Sequence, residues 1–150
     1  MAVGDAGQAL LERDAVLARI DDRVRYAIAG DGSLLVLEGP AGIGKTRLVT
    51  AAGRRGRELG LQMLTARASE LERDFAYGLV RQLFEAPVVA ASPPERAELL
   101  DGAAGRTAAL FGVARPHDHA ADALLDPSFA ILHGLYWLCA NLARRSALVL

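Results

Sequence analysis

Apolar residues recur along this chain in two rhythms, helical spacing and short continuous runs. Between residues 13 and 29, Val16, Leu17, Ile20, Val24 and Ala27 recur at helical spacing, with Asp21, Asp22, Arg23 and Arg25 between them. That pattern predicts an amphipathic helix, ended by Gly30-Asp31-Gly32. Leu34-Leu35-Val36-Leu37 is instead a continuous apolar run after a turn. It predicts a strand over 34–38, buried on both faces as in a parallel sheet. A helix over 45–59 is stopped by Gly60, and 61–66 reads as a second strand. Strand, helix, strand in that order implies a parallel pair with a right-handed crossover.

The second half is richer in helical signals. Phe75, Ala76, Leu79, Val80, Leu83 and Phe84 form a stripe that predicts a helix over 76–86. Ser92-Pro93-Pro94-Glu95 has the form of a capping box with proline at the first helical position, opening a helix over 93–100. Residues 112–122 read as loop. Asp126 caps a helix over 127–143, and 146–150 resembles the opening of a third buried strand. The predicted class is therefore α/β, a three-layer arrangement around a parallel and incomplete sheet. Residues 1–9 read as a flexible tail, and 10–150 as one domain.

Composition narrows the function classes. The net charge of −1 gives no global basic field to hold nucleic acid. Cys139 is the only cysteine, which excludes an internal disulfide and a cysteine-based metal cage. The start of the chain lacks the basic flank and apolar core of a secretory signal, and the apolar stretch Phe129–Ala143 is too short to span a membrane. These features point to a cytoplasmic chain without a membrane partner. Among 17 basic residues there is a single lysine, Lys45.

That lysine completes the one strong motif. Gly39-Pro40-Ala41-Gly42-Ile43-Gly44-Lys45-Thr46 fits G-x-x-x-x-G-K-[ST] in full, between a predicted strand and a predicted helix. The glycines allow left-handed backbone angles, so successive N–H groups can converge on an anion. The helix start adds about half a positive charge beside it. Lys45 suits the β- and γ-phosphates of a nucleoside triphosphate, and the Thr46 hydroxyl suits Mg²⁺. Residues 39–47, ending with Arg47, are thus the candidate nucleotide-binding residues, with ATP and Mg²⁺ as the implied cofactors.

An Asn-Lys-x-Asp box for guanine cannot exist, because the one lysine is in the loop. A Ser-Gly-Gly-rich cassette signature is absent too. A small P-loop kinase is an alternative, and a non-enzymatic interaction domain with a vestigial site is another. Hydrolysis needs a carboxylate at the end of an apolar strand. Glu38 ends the loop's own strand, and the run 147–150 ends with the chain, so no catalytic residue is assigned and the chain is expected not to hydrolyse ATP by itself.

Other polar residues have plainer readings. Glu12 and Arg13 read as an exposed helix start; a resemblance of residues 11–17 to a known ATPase box implies adenine-side contact instead. Glu70, Glu72, Arg73 and Asp74 read as a solvated helix start, with approach to the nucleotide as the alternative, and Arg54, Arg55 and Arg57 as solvated surface, with a DNA patch as the alternative. His117 and His119 flank Asp118 in a loop, without the i, i+4 spacing of helical metal ligands. His133, Phe129, Tyr136, Trp137 and Cys139 read as packed residues of a buried helix.

Several segments resemble a known family. Leu11-Glu12-Arg13-Asp14-Ala15-Val16-Leu17 is similar to the box preceding the P-loop in AAA-type ATPases of the origin-recognition-like group. The segment from Ala68 to Glu85, together with Leu132-His133-Gly134-Leu135-Tyr136-Trp137-Leu138, resembles the ATPase region of large actinobacterial LuxR-type regulators. The resemblance covers residues 10–150. It implies the N-terminal part of a nucleotide-dependent transcriptional regulator, truncated before the Walker B acids. DNA binding would then lie in a missing C-terminal helix-turn-helix. It also implies that 34–37 lacks a neighbouring strand, leaving sheet edges open to self-association.

Overall fold

The computed structural model describes residues 8–70, 75–113 and 126–150, with the side chains of 8–13 excluded. Its elements run α1 (Gln8–Ile28), α2 (Lys45–Glu58), β1 (Gln62–Met63), α3 (Gly78–Ala90), α4 (Pro93–Leu99), a 3₁₀ helix (Gly102–Phe111), α5 (Pro127–Ala143) and β2 (Leu148–Val149). The chain divides into two compact units. One holds residues 1–63 with Val149; the other holds 64–148 with Leu150.

In the first unit, α1 buries Ile20 and Val24, and Arg55 of α2 lies 3.4 Å from Asp21 of α1. Helix α2 buries Gly53 and Gly56. A Cβ on Gly56 would meet Met63 Sδ, so the missing side chain lets β1 lie close to the helix. Mid-helix glycine costs roughly 1 kcal/mol against alanine, and this close approach offsets it. β1 pairs with β2 in a two-stranded parallel sheet.

The expected sheet is corrected at one strand and shortened at two. Residues 34–38 form no strand and pair with none of the described residues. Leu34 and Val36 are 87% and 73% exposed, whereas Leu35 and Leu37 are half-buried. Exposure alternates along the run, but a strand exists only where a neighbour accepts its hydrogen bonds. β1 takes β2 as its partner, so the predicted 34–38/61–66 crossover pair is absent. The 61–66 and 146–150 strands shrink to two paired residues each.

The second unit carries a larger core of Leu64, Phe84, Val88, Leu99, Leu100, Ala104, Ala108, Phe111, Leu138 and Leu142. Helix α3 begins at 78 instead of 76, after Tyr77 adopts φ 63. It also runs through Pro87 to Ala90, past the expected end at 86. Val88 has no exposed surface. Arg96 donates to the carbonyls of Val88, Val89 and Ala91. Burial and this guanidinium cap outweigh the hydrogen bond that proline removes.

Two helix starts follow the sequence closely. Ser92 N and Oγ both donate to Glu95 Oε2, at 3.0 and 2.7 Å. Asp126 Oδ1 accepts from Ser128 N and Phe129 N at 2.9 and 3.0 Å, and α5 spans the predicted 127–143. Helix α1 begins at Gln8, inside the expected tail; residues 1–7 lie outside the described residues.

The 3₁₀ helix was not expected. Its buried residues, Ala104, Gly105, Thr107, Ala108 and Phe111, fall in two rows three apart, as three residues per turn require. Small side chains let these rows lie against α5 at Gly134. A Cβ there would meet the Ala103 carbonyl and Thr107 Cγ2, each at 2.9 Å.

Gly134→Ala sets two effects against each other. Helix propensity gains about 1 kcal/mol, but a backbone carbonyl at that distance cannot yield without moving the 3₁₀ helix, an overpacking cost of about 1–3 kcal/mol. Net destabilisation is expected in urea denaturation; an unchanged or higher midpoint would show the contact is looser than described. The Glu95 carboxyl gives a second test. Hydrogen bonds from Ser92, then the Arg145 guanidinium at 2.8 Å, push its pKa down to about 2. A depressed carboxylate stabilises the fold above the ordinary carboxylate value and loses that stabilisation as pH falls through its folded value. Melting temperature should therefore drop between about pH 4.5 and 2, and Glu95→Gln should flatten that slope.

Candidate phosphate-binding site

The segment between the half-buried Leu37 and α2 is a closed turn. Gly42 and Gly44 take φ values of 79° and 94°, both left-handed. Any L side chain is strained there, so these two positions require glycine. A Cβ on Gly39 would come 3.2 Å from Ile43 Cγ2, which shows how tightly the two ends of the loop approach. Gly44 is the N-cap of α2 and makes no side-chain cap bond.

Helical hydrogen bonding starts late. Arg47 N and Leu48 N both donate to the Gly44 carbonyl, at 3.0 and 3.2 Å. The amides of Lys45 and Thr46 precede those donors, in the turn where an α-helix leaves its N–H groups unpaired. Unpaired amides and the positive end of the helix dipole together favour an anion.

Lys45 folds back over the loop. Its Nζ donates to the carbonyls of Gly39 at 2.6 Å and Pro40 at 2.8 Å. An ammonium has three protons; two are committed here, and the third has no partner among the described residues. The lysine thus closes the loop and keeps one donor for a ligand. Sequence reasoning placed this charge but missed that the Gly39 and Pro40 carbonyls hold it; the motif names residue types, not carbonyl directions.

The structure brings residues 39–47 together within one unit. Ala41, Gly42, Ile43, Thr46 and Arg47 are exposed, and Gly44 and Lys45 half-buried. The Thr46 carbonyl accepts from Thr50 Oγ1 at 2.9 Å, which braces the first turn of α2. Among the described residues no group of three or more His, Cys, Asp or Glu could hold a metal. Thr46 is exposed at the start of α2, where its hydroxyl could supply one ligand to Mg²⁺ with phosphate oxygens and water supplying the others, as this ion commonly accepts.

Arg54 and Arg55 pair with Glu58 at 3.9 and 3.6 Å on an exposed face. Glu70 is exposed. The side chains of Glu12 and Arg13, and residues Glu72, Arg73, Asp74, His117, Asp118 and His119, lie outside the described residues. Burial raises the Cys139 thiol pKa, which lowers its share of thiolate. Phe129, Tyr136 and Trp137, expected in the core, are 56%, 66% and 43% exposed. Helix α5 buries its Gly134, Leu138 and Leu142 side instead.

Among the described residues, no helix is long and apolar enough to cross a membrane. No curated protein and no solved structure matches the chain. The family of the AAA ATPase domain matches across residues 9–150, and the chain belongs to that family.

Proposed function

We propose that this chain is an ATP-binding module in which residues 39–47 hold the triphosphate tail. The observation that carries the reading is the left-handed turn at Gly42 and Gly44 leading directly into α2, closed by the Lys45 ammonium. Main-chain amides at the helix start meet the phosphate oxygens. Lys45 neutralises the β- and γ-phosphates, and the Thr46 hydroxyl takes one position on Mg²⁺. The ion adds charge neutralisation between the phosphates when bound. Arg47, one position further along α2, is exposed and can approach the same anion.

For the wider role, the resemblance of residues 68–85 and 132–138 supports a signalling ATPase of the kind that switches transcription with its nucleotide state. Binding without turnover is the activity proposed for these 150 residues.

Mg·ATP should raise the melting temperature of the chain, since a ligand at about 100 times its dissociation constant stabilises by about 2.7 kcal/mol. Lys45→Ala removes a charge-assisted contact worth roughly 2–5 kcal/mol, a loss of about 30-fold or more in affinity measured by calorimetry. A melting shift that survives Lys45→Ala unchanged would place ATP elsewhere. Transfer of phosphate from ATP to a nucleoside or metabolite by the purified chain would favour a kinase instead.

A further inference from the structure

His133 of α5 meets a hydrogen-bond donor at each ring nitrogen. Arg106 Nη1, from the 3₁₀ helix, lies 2.8 Å from Nδ1. Trp137 Nε1, one turn further along α5, lies 3.0 Å from Nε2. A guanidinium and an indole N–H can only donate. A neutral imidazole carries its proton on one nitrogen and accepts at the other. The ring therefore accepts from Arg106 or from Trp137, and its tautomer decides which. An imidazolium carries a proton on both nitrogens and accepts from neither.

The neighbours confine the effect of that proton to this one spot. Among the described residues, Arg106 is the charged group in contact with the ring. Helix α5 has no Asp, Glu, Lys or Arg, and its other titratable side chains are Tyr136 and Cys139. Asp126, at its start, is tied to the Ser128 and Phe129 amides. Helix α4 meets the far end of α5, where Arg145 pairs with Glu95 and Asn141 bonds the Leu99 carbonyl. Arg106 and His133 are both half-buried, so a second positive charge on the ring pushes the two apart. Phe129 stacks on the imidazole with centroids 5.9 Å apart and planes 15° from parallel. That contact survives protonation, because an aromatic face attracts a cation. Trp137 stands edge-on to the ring at 83° and is 43% exposed, so its freed N–H can turn to water.

We propose that His133 is a proton-operated latch: the neutral ring holds Trp137 or Arg106 in place, and the protonated ring releases both. Release rearranges the aromatic side of α5 and loosens one tie between α5 and the 3₁₀ helix, while the buried Gly134, Leu138 and Leu142 side stays packed.

Trp137 is the single tryptophan, so its emission and its indole N–H resonance both report the latch in the full chain. Between about pH 7.5 and about pH 5, the range in which histidine changes charge, both signals should change in one step. The indole N–H should move toward its water-exposed position, and the far-ultraviolet circular dichroism should stay constant. The Glu95 transition lies below pH 4.5, outside this window. His133→Gln keeps an acceptor but takes up no proton, and should flatten both signals. His117→Gln combined with His119→Gln removes the other two histidines and should leave the step in place. The proposal is overturned if the parent is flat across this range, if the step persists in His133→Gln, or if it vanishes without His117 and His119. Loss of helical signal in the same step would also overturn it, since the change would then be unfolding. Should His133→Gln fail to fold, the indole resonance of the parent decides alone. None of these readouts depends on nucleotide binding.

Discussion

A triphosphate tail carries several negative charges that must be met by donors fixed in place before it arrives. In this chain two left-handed glycines and one lysine fix the shape of the loop proposed to meet them. Gly42 and Gly44 turn the backbone so that α2 starts with its unpaired amides at the loop. Lys45 ties the turn shut through the Gly39 and Pro40 carbonyls. An ammonium satisfied in this way does not collapse onto a distant carboxylate. The cost of ordering the loop is met within the folded chain, before any ligand binds. Membership in the AAA ATPase domain family is consistent with nucleotide binding and with an α/β P-loop fold.

The loop does not need a complete sheet to keep its shape. Residues 34–38 lack a ladder, yet Leu35 and Leu37 are half-buried. What braces the far end is local: the Thr50 hydroxyl on the Thr46 carbonyl, and the two glycines of α2 that admit Met63. The second unit follows a different logic. Its core is built by helices whose ends are tied by side chains, with Arg96 on the end of α3 and Asn141 Nδ2 on the Leu99 carbonyl at 3.0 Å.

How much of this was legible in the sequence depended on how local each signal was. The Asp126 cap and the Ser92/Glu95 box are complete within four residues, and both helix starts fell where they were expected. The loop motif fits within eight residues, and its turn needs no distant partner. Strand 34–38 failed because a strand is a property of two segments, and an apolar run cannot declare whether its neighbour is present. The end of α3 was misplaced because the stabilising Arg96 lies beyond the helix it caps. The 3₁₀ helix was missed because Gly102–Phe111 buries alanine and glycine at a period of three, which neither of the usual rhythms detects. The aromatic side of α5 was read as core because apolarity records a wish for cover, not the presence of it.

The central claim is that main-chain N–H groups from Gly42 to Thr46 grip a polyphosphate. Backbone amide resonances, followed in a ¹⁵N-labelled sample as Mg·ATP is added, test it residue by residue. The account expects the Gly42, Gly44, Lys45 and Thr46 signals to move most and to saturate together, with inorganic tripolyphosphate moving the same set. If those four stay still while resonances elsewhere in the chain shift, the loop is not where the anion binds.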